Sequence, residues 1–255
     1  LVIAGKHSKV TVIDRYRSEP DSSTWVCAVV DLVADSGAKV RYVADQALSP
    51  ASTMFHLSTA SADRDSDLRS LILNAGADRV RNEQVSRVGG AGASSVMLGL
   101  NFSGRQQEID QRTLQHHTAP EGMSDLLYKN VLFGEARSIF AGLIRVDQGS
   151  HHTDAFQSCR NLLMSEQAEA NSMPGLEINA DQVKCSHGST SGPIADDEIF
   201  YLLSRGIPPE DARRLIALGF GFEVLERLGD STLTNLLSSR LDAALDACLR
   251  PLRSS

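Results

Sequence analysis

The 255-residue sequence predicts a mainly β protein: a stacked β-solenoid followed by a small helical region at the carboxy-terminal end. Three observations carry that expectation. Up to residue 192 the chain reads as many short apolar stretches with almost no helical period. The joints between them are Gly, Asn, Asp and Ser, the residues of tight turns. After Pro193 the apolar residues recur at spacings of three and four. Short, numerous strands suit a sandwich, a barrel or a solenoid. The solenoid is preferred because its rungs need only short strands, each burying its apolar face on its neighbours. No strict sequence period marks the rungs. The domains are accordingly a β core over 1–192 and a helical region over 193–255.

Taken in order, period-two alternation appears in Lys9–Tyr16, Trp25–Val33 and Ala38–Val43, with turns at 18–23 and at Asp35-Ser36-Gly37. Phe55–Ala60 and Ser70–Asn74 continue the theme, then turns at 74–78 and at the glycine-rich 89–93. Ser95–Leu100 and Asn130–Phe133 are further short apolar pieces. Residues 131–146 read as one unit: a strand, a corner at Gly134-Glu135-Ala136, Ile139-Phe140, Gly142, then Leu143–Val146. Asn161–Ser165 and Leu176–Ile178 follow. Asp196-Asp197-Glu198 supply the acidic first turn of a helix that Gly206 ends. Pro208-Pro209 open a second helix, with Leu215, Ile216 and Phe220 as its apolar stripe. After Gly229-Asp230-Ser231 a third helix runs from Leu233 through Cys248 until Pro251 stops it.

Composition narrows the function. A net charge of −7 argues against general nucleic-acid binding, which needs basic surface to neutralise phosphates. No apolar run approaches the roughly 20 residues of a membrane helix, and no leader of the secretory kind is present. The four cysteines, Cys27, Cys159, Cys185 and Cys248, are scattered without a Cys-x-x-Cys pair, which excludes a zinc ribbon and points to a reducing cytoplasm. Leu1 in place of Met is read as the sign of a chain whose amino-terminal part is missing.

Chemistry concentrates at Lys184-Cys185-Ser186-His187-Gly188, where strands give way to helices. Residues two apart on a strand share a face. A thiol and an imidazole there can bind iron, copper or zinc. Two ligands are half a site, and the bland alternative, a buried thiol and a hydrogen-bonded turn histidine, stands beside it. Cys159 has Arg160 next to it, but strand neighbours face opposite ways, so a packed thiol is the better reading of the pair. The pairs His116-His117 and His151-His152 read as polar corner residues. The run 89–93 lacks the Gly-Lys-Ser/Thr ending of a phosphate loop, which rejects a nucleotide site.

The span from His117 to about Leu228 resembles the core of the SufB/SufD family of iron–sulfur cluster assembly scaffolds. The matching pieces are His117 with Ser124, Lys129–Leu132, Ala136–Val146, Thr153–Ala155, Asn161–Ser165, Pro174–Ile178, Asp181–Thr190 and Phe200–Ile207, in that order. The resemblance implies a right-handed parallel β-helix followed by a helical region. It implies a cytoplasmic, non-catalytic scaffold that pairs with a SufB-like subunit and docks the ABC-type ATPase SufC through its helices. Sulfur would come from a cysteine desulfurase and its carrier, and ATP would be hydrolysed by SufC.

Lys184-Cys185-Ser186-His187-Gly188 resembles the SufD form, in which the matching Cys and His lie near the scaffold interface; SufB-like chains carry Glu where this chain has Gly188. Cys159 falls where SufB-like chains have their sulfur-accepting cysteine. The resemblance therefore implies His187 and Cys185 as metal ligands, with Cys159 as a further cluster-related residue. The cluster or iron would be transient, at a subunit interface, with none firmly bound. Two alternatives compete: a β-helix enzyme acting on polysaccharide, and a SufB-like homodimeric scaffold.

Overall fold

A computed structural model describes residues 1–253, with side chains through Leu249. The strands are β1 (Val2–Ala4), β2 (Lys9–Arg17), β3 (Trp25–Ala34), β4 (Lys39–Ala47), β5 (Thr53–Ala62), β6 (Asp67–Asn74) and β7 (Arg79–Val88). Then come β8 (Ser94–Ser103), β9 (Glu108–His117), β10 (Met123–Leu132), β11 (Arg137–Val146), β12 (Asp154–Leu163), β13 (Glu169–Ile178) and β14 (Lys184–Gly192). Three helices follow: α1 (Asp196–Ser204), α2 (Pro209–Glu226) and α3 (Ser231–Arg253).

Odd-numbered strands build one seven-stranded parallel sheet, here sheet A, and even-numbered strands build the other, sheet B. Each strand pairs with the one two places on, so the chain winds as a solenoid. Rung length varies: Thr53 pairs with Arg79, 26 residues on, and Arg137 with Glu169, 32 residues on. That variation is why no strict period shows in the sequence.

The corner leading from sheet A to sheet B repeats in all seven rungs. Each has a residue in the left-handed region two positions before the next strand, His7, Gly37, Asp65, Gly92, Glu121, His152 and Gln182, and the corner before β12 has Gly149 there as well. Of the seven recurring residues only two are glycine, so the other five forgo the residue that adopts this conformation without strain. Stacking offsets the cost, since the backbone N–H of His7 bonds Ser36 O, that of Gly37 bonds Arg64 O and that of His152 bonds Gln182 O, each at 2.9–3.0 Å.

The two sheets meet different surroundings. The outer face of sheet A is open, and β7 and β9 alternate buried with partly or fully exposed residues. The outer face of sheet B is covered by α2 and α3, so β6, β8 and β10 are buried on both faces over most of their length. Leu71, Leu73, Leu98, Leu100 and Phe102 of that face pack with Leu225 of α2 and Leu237, Leu241 and Leu245 of α3. Each such leucine contributes about 1.5–3 kcal/mol by leaving water. Asp230 caps α3, accepting from the backbone N–H of Thr232 (3.0 Å) and Leu233 (3.1 Å). Gly206, at φ +82°, ends α1 as expected. Pro251 does not end α3, which runs to Arg253. In the last turn a proline forfeits one backbone bond, and the leucine stripe upstream holds the helix. β11 is likewise continuous through Gly142, where the sequence had suggested two pieces.

Charged groups pin the helices down. Lys129, with only 2% of its side chain exposed, bonds Glu223 of α2 at 2.5 Å, donates to Phe220 O at 2.8 Å and lies 4.2 Å from the Phe220 ring centre. Arg160 and Arg227 also approach Glu223, each at 3.7 Å. Arg240 of α3 reaches the buried Asp45 of β4 at 3.0 Å.

Candidate functional site

β14 has little intrinsic strand preference, being Lys-Cys-Ser-His-Gly-Ser-Thr-Ser-Gly. It is extended because β12 offers a row of backbone donors and acceptors, which β14 satisfies in register from Asp154↔Lys184 to Leu162↔Gly192. β13 and β14 are the last strands of their sheets. Among the described residues no further strand covers them, and the end of the solenoid is open.

Register fixes which way each side chain points. Cys185 lies beside Ala155, His187 beside Gln157, Ser189 beside Cys159 and Ser191 beside Asn161. Ala155, Gln157, Cys159 and Asn161 are all buried in the lumen. In-register residues of parallel strands share a face, so Cys185 and His187 both face inward at the last rung, as their spacing predicts. Their Cα atoms are about 6.6 Å apart along the strand. Cys185 is half-buried against the cluster of Ile144, Val146 and Ala155. His187 is exposed at the open end.

Cys159 lies one rung deeper and one inward position along, with its Cα about 8 Å from that of His187 on ordinary strand spacings. The register thus gathers all three predicted residues on one inward face. Their settings differ. Burial pushes the Cys159 thiol up to about 11, against hydrogen bonds from Ser172 Oγ (3.6 Å), to Asn161 Oδ1 (3.8 Å) and from Asn130 Nδ2 (3.8 Å). Burial also raises Cys185, with the Asp154 charge adding to it and a backbone hydrogen bond at Ala155 opposing it. Both thiols are therefore protonated at neutral pH until a metal or a base displaces the proton. Arg160, next to Cys159, points outward to Glu223. Among the described residues no three His, Cys, Asp or Glu side chains form a metal-holding group.

The polar-corner expectation holds for His151-His152 only, because His116 and His117 are the last two residues of strand β9 and point to opposite faces. His116 faces out and bonds Asp147 at 2.8 Å, whereas His117 faces in and bonds Ser124 Oγ at 2.7 Å. His151 and His152 sit on the corner before β12.

A buried asparagine ladder was not anticipated. Asn74 donates to Asn101, Asn101 to Asn130, and Asn130 to Asn161, each at 2.6 Å. Asn161 passes the chain to Ser191 Oγ of the last strand at 2.9 Å. The recurrence of Asn at 74, 101, 130 and 161, one rung apart each time, is the sequence signal that marks it. Asn161 thereby ties β14 into the lumen beside Cys159.

Comparison with known proteins completes the picture. Residues 1–220 match the family model described as SUF system FeS cluster assembly, SufBD core domain. The chain is 32% identical over 229 residues to an iron–sulfur cluster assembly SufBD family protein of Mycobacterium tuberculosis, covering 85% of this chain and 57% of that protein. It is 31% identical over 238 residues to the iron–sulfur cluster assembly protein SufD of Escherichia coli, covering 93% of this chain and 56% of the relative. A SufBD family protein of Synechocystis is 29% identical over 238 residues, with 89% and 52% covered. The chain spans a little over half the length of these relatives.

Proposed function

The chain belongs to the SufBD family of iron–sulfur cluster assembly proteins, and from that premise we propose that it is a SufD-like scaffold subunit. It builds clusters with a SufB-like partner and a SufC-type ATPase in the cytoplasm, with sulfur supplied by a cysteine desulfurase and its carrier. The cluster is cargo, assembled at an interface and passed on.

The observation that carries this reading is the inward-facing Cys185 and His187 on the uncovered last rung. A thiolate and an imidazole suit iron and sulfide. Metal binding would drive the proton from Cys185, whose burial holds it as a thiol until then. Two donors do not complete a tetrahedral iron site. A partner whose own last rung stacks on β13 and β14 would supply the remainder and satisfy their free backbone groups by strand addition.

The helical region gives the ATPase a place to dock. α1 buries none of its residues, and Phe200 and Tyr201 are 72% and 57% exposed beside the acidic Asp196, Asp197 and Glu198. Hydrolysis is assigned to the partner, and this chain acts as a scaffold. Family membership displaces the polysaccharide reading. It finds no support on the outer face of sheet A either, where Glu83, Asp110, Glu169 and Asp147 are paired with arginines.

The test is anaerobic co-expression with the SufB-like and SufC-like chains, followed by iron and sulfide analysis. His187→Ala is expected to abolish cluster build-up while the purified complex keeps its size and composition. Unimpaired clusters in that variant would sink the site assignment. A complex of two copies of this chain, formed in preference to the mixed one, would replace the heteromeric reading with the homodimeric one.

A further inference from the structure

β14 is weakly held. It pairs on one side only, and of its residues only Cys185 and Gly192 are part-buried. Gly188 stands at its middle with nothing within 4 Å of where a Cβ would be, so the strand lacks packing there as well as propensity. Yet this strand carries Cys185 and His187, whose placement relative to each other decides whether they can share a metal.

One side chain opposes fraying. Among the described residues, Asn161 is the only residue outside β14 whose side chain hydrogen-bonds to it. It lies beside Ser191 in register on β12. Its Nδ2 donates to Ser191 Oγ at 2.9 Å and reaches Thr190 O and Ser172 Oγ, each at 3.3 Å. Ser172 belongs to β13, the last strand of the other sheet, so a single amide joins the final strands of both sheets. The other side of that amide is anchored in the interior. Oδ1 accepts from Asn130 Nδ2 at 2.6 Å, within the ladder that begins at Asn74, and from the Cys159 thiol at 3.8 Å. Asn161 is 4% exposed, so the lumen and not solvent sets its orientation.

We infer that Asn161 is a positioning residue for the ligand pair: its amide clasps the end of β14 and thereby holds Cys185 and His187 in place at the uncovered end. This rests on the reading of those two residues as ligands. It also gives the asparagine ladder a role, since amides bonded in a row carry the rigidity of the interior out to a strand paired on one side only. The same amide accepts the Cys159 proton, so all three candidate residues are referred to one fixed group.

Cys185 reports on the clasp, because its thiol is half-buried against Ile144, Val146 and Ala155 only while β14 stays in register. Ser191→Thr keeps the hydroxyl, and Ser191→Val has nearly the same shape without it, so strand preference cancels between the two. In the full chain, iodoacetamide should alkylate Cys185 about two to ten times faster in Ser191→Val than in Ser191→Thr, the change in local opening that one neutral hydrogen bond makes. The exposed Cys27 is the internal reference. Asn161→Ala should raise the rate in both backgrounds and erase the difference between them. In the complex co-expressed with SufB-like and SufC-like chains, Ser191→Val should hold less iron and sulfide than Ser191→Thr, at unchanged size and composition. Equal Cys185 rates in the two Ser191 variants, or a difference that persists in Asn161→Ala, overturn the clasp. Faster alkylation with undiminished clusters, while His187→Ala abolishes them, overturns the positioning role. If His187→Ala leaves clusters intact, the ligand reading fails by itself and the alkylation rates still decide the clasp.

Discussion

Glu223→Ala is expected to loosen α2 from the solenoid, and the structure sets the size of the effect. Glu223 is the acceptor shared by Lys129 at 2.5 Å and by Arg160 and Arg227 at 3.7 Å. A hydrogen bond between charged groups is worth about 1.5–3 kcal/mol. The two longer contacts involve arginines more than two-fifths exposed, so together they add about 0–1 kcal/mol. The sum is about 1.5–4 kcal/mol, most of it from Lys129, which would keep only the Phe220 carbonyl and ring. Lys129→Met together with Glu223→Ala removes both charges and should recover much of the loss, because an unpaired buried ammonium costs more than a buried thioether.

Urea unfolding read by two probes makes the cycle measurable. The far-UV helical signal follows α1 to α3, and the fluorescence of the single tryptophan, Trp25 on β3, follows the amino-terminal rungs. In Glu223→Ala the helical signal should fall at lower urea than the Trp25 signal, whereas in wild type the two coincide more closely. pH provides a second handle. Lys129 holds the Glu223 carboxyl below its ordinary 4.5, so this contribution is complete above that value and is lost as pH falls through the lower, folded one. In Glu223→Ala the loss should shrink as pH rises toward 10.5, because burial already lowers the Lys129 pKa and the folded chain sheds that proton first. Double-mutant coupling under about 0.5 kcal/mol would refute the reasoning, since pairs that do not interact add to within that margin.

Two further outcomes are checked more simply. Iodoacetamide at neutral pH should modify the exposed Cys27 first and Cys185 slowly, while Cys159 and Cys248, buried and pushed up to about 11 and about 12, react only on unfolding; digestion and mass spectrometry give the order. His56 and His117 are held neutral by burial, at about 4 against 6.5 unfolded, so stability should be full above 6.5 and fall by up to about 1.4 kcal/mol per pH unit for each as pH drops toward 4; urea midpoints at pH 7 and pH 5 for wild type and His56→Leu should differ less in the variant.

The polarity of the lumen decides what a reader of the sequence could see. β3 and β4 were legible because their inner faces are apolar, with Val30, Leu32 and Val40 among the inward residues, and β8 because its outer face carries Leu98, Leu100 and Phe102 under the helices. β7 and β9 were not, because their inward residues include Asn82, Gln84 and Ser86, and Gln111, Thr113 and Gln115. Hydrophobic alternation vanishes where the inside is polar, while the backbone pairing that makes the strand is untouched. The helices were legible from caps and spacing, and only the end of α3 was misjudged. At the site, the shared face of Cys185 and His187 followed from spacing alone. Their relation to Gln157 and Cys159 depended on a register set by rungs of unequal length, and no local pattern carries that information.

The alternation of one strand joins the two halves of the molecule. On β12, Gln157, Cys159 and Asn161 point inward beneath β14, while Arg160, between the last two, points outward to Glu223 of α2. Lys129 stands beside Arg160 in register on β10 and meets the same carboxylate. A load that shifts α2 is therefore delivered to the outer face of the strand whose inner face supports the last rung. Close-packed interiors yield little to such a load, so the displacement passes to the element with fewest neighbours. Of the two strands paired with β12, that is β14, since β10 is paired on both sides and β14 on one only. If the ATPase docks on the helices, its movements have a direct mechanical path to Cys185 and His187, and it runs through Glu223.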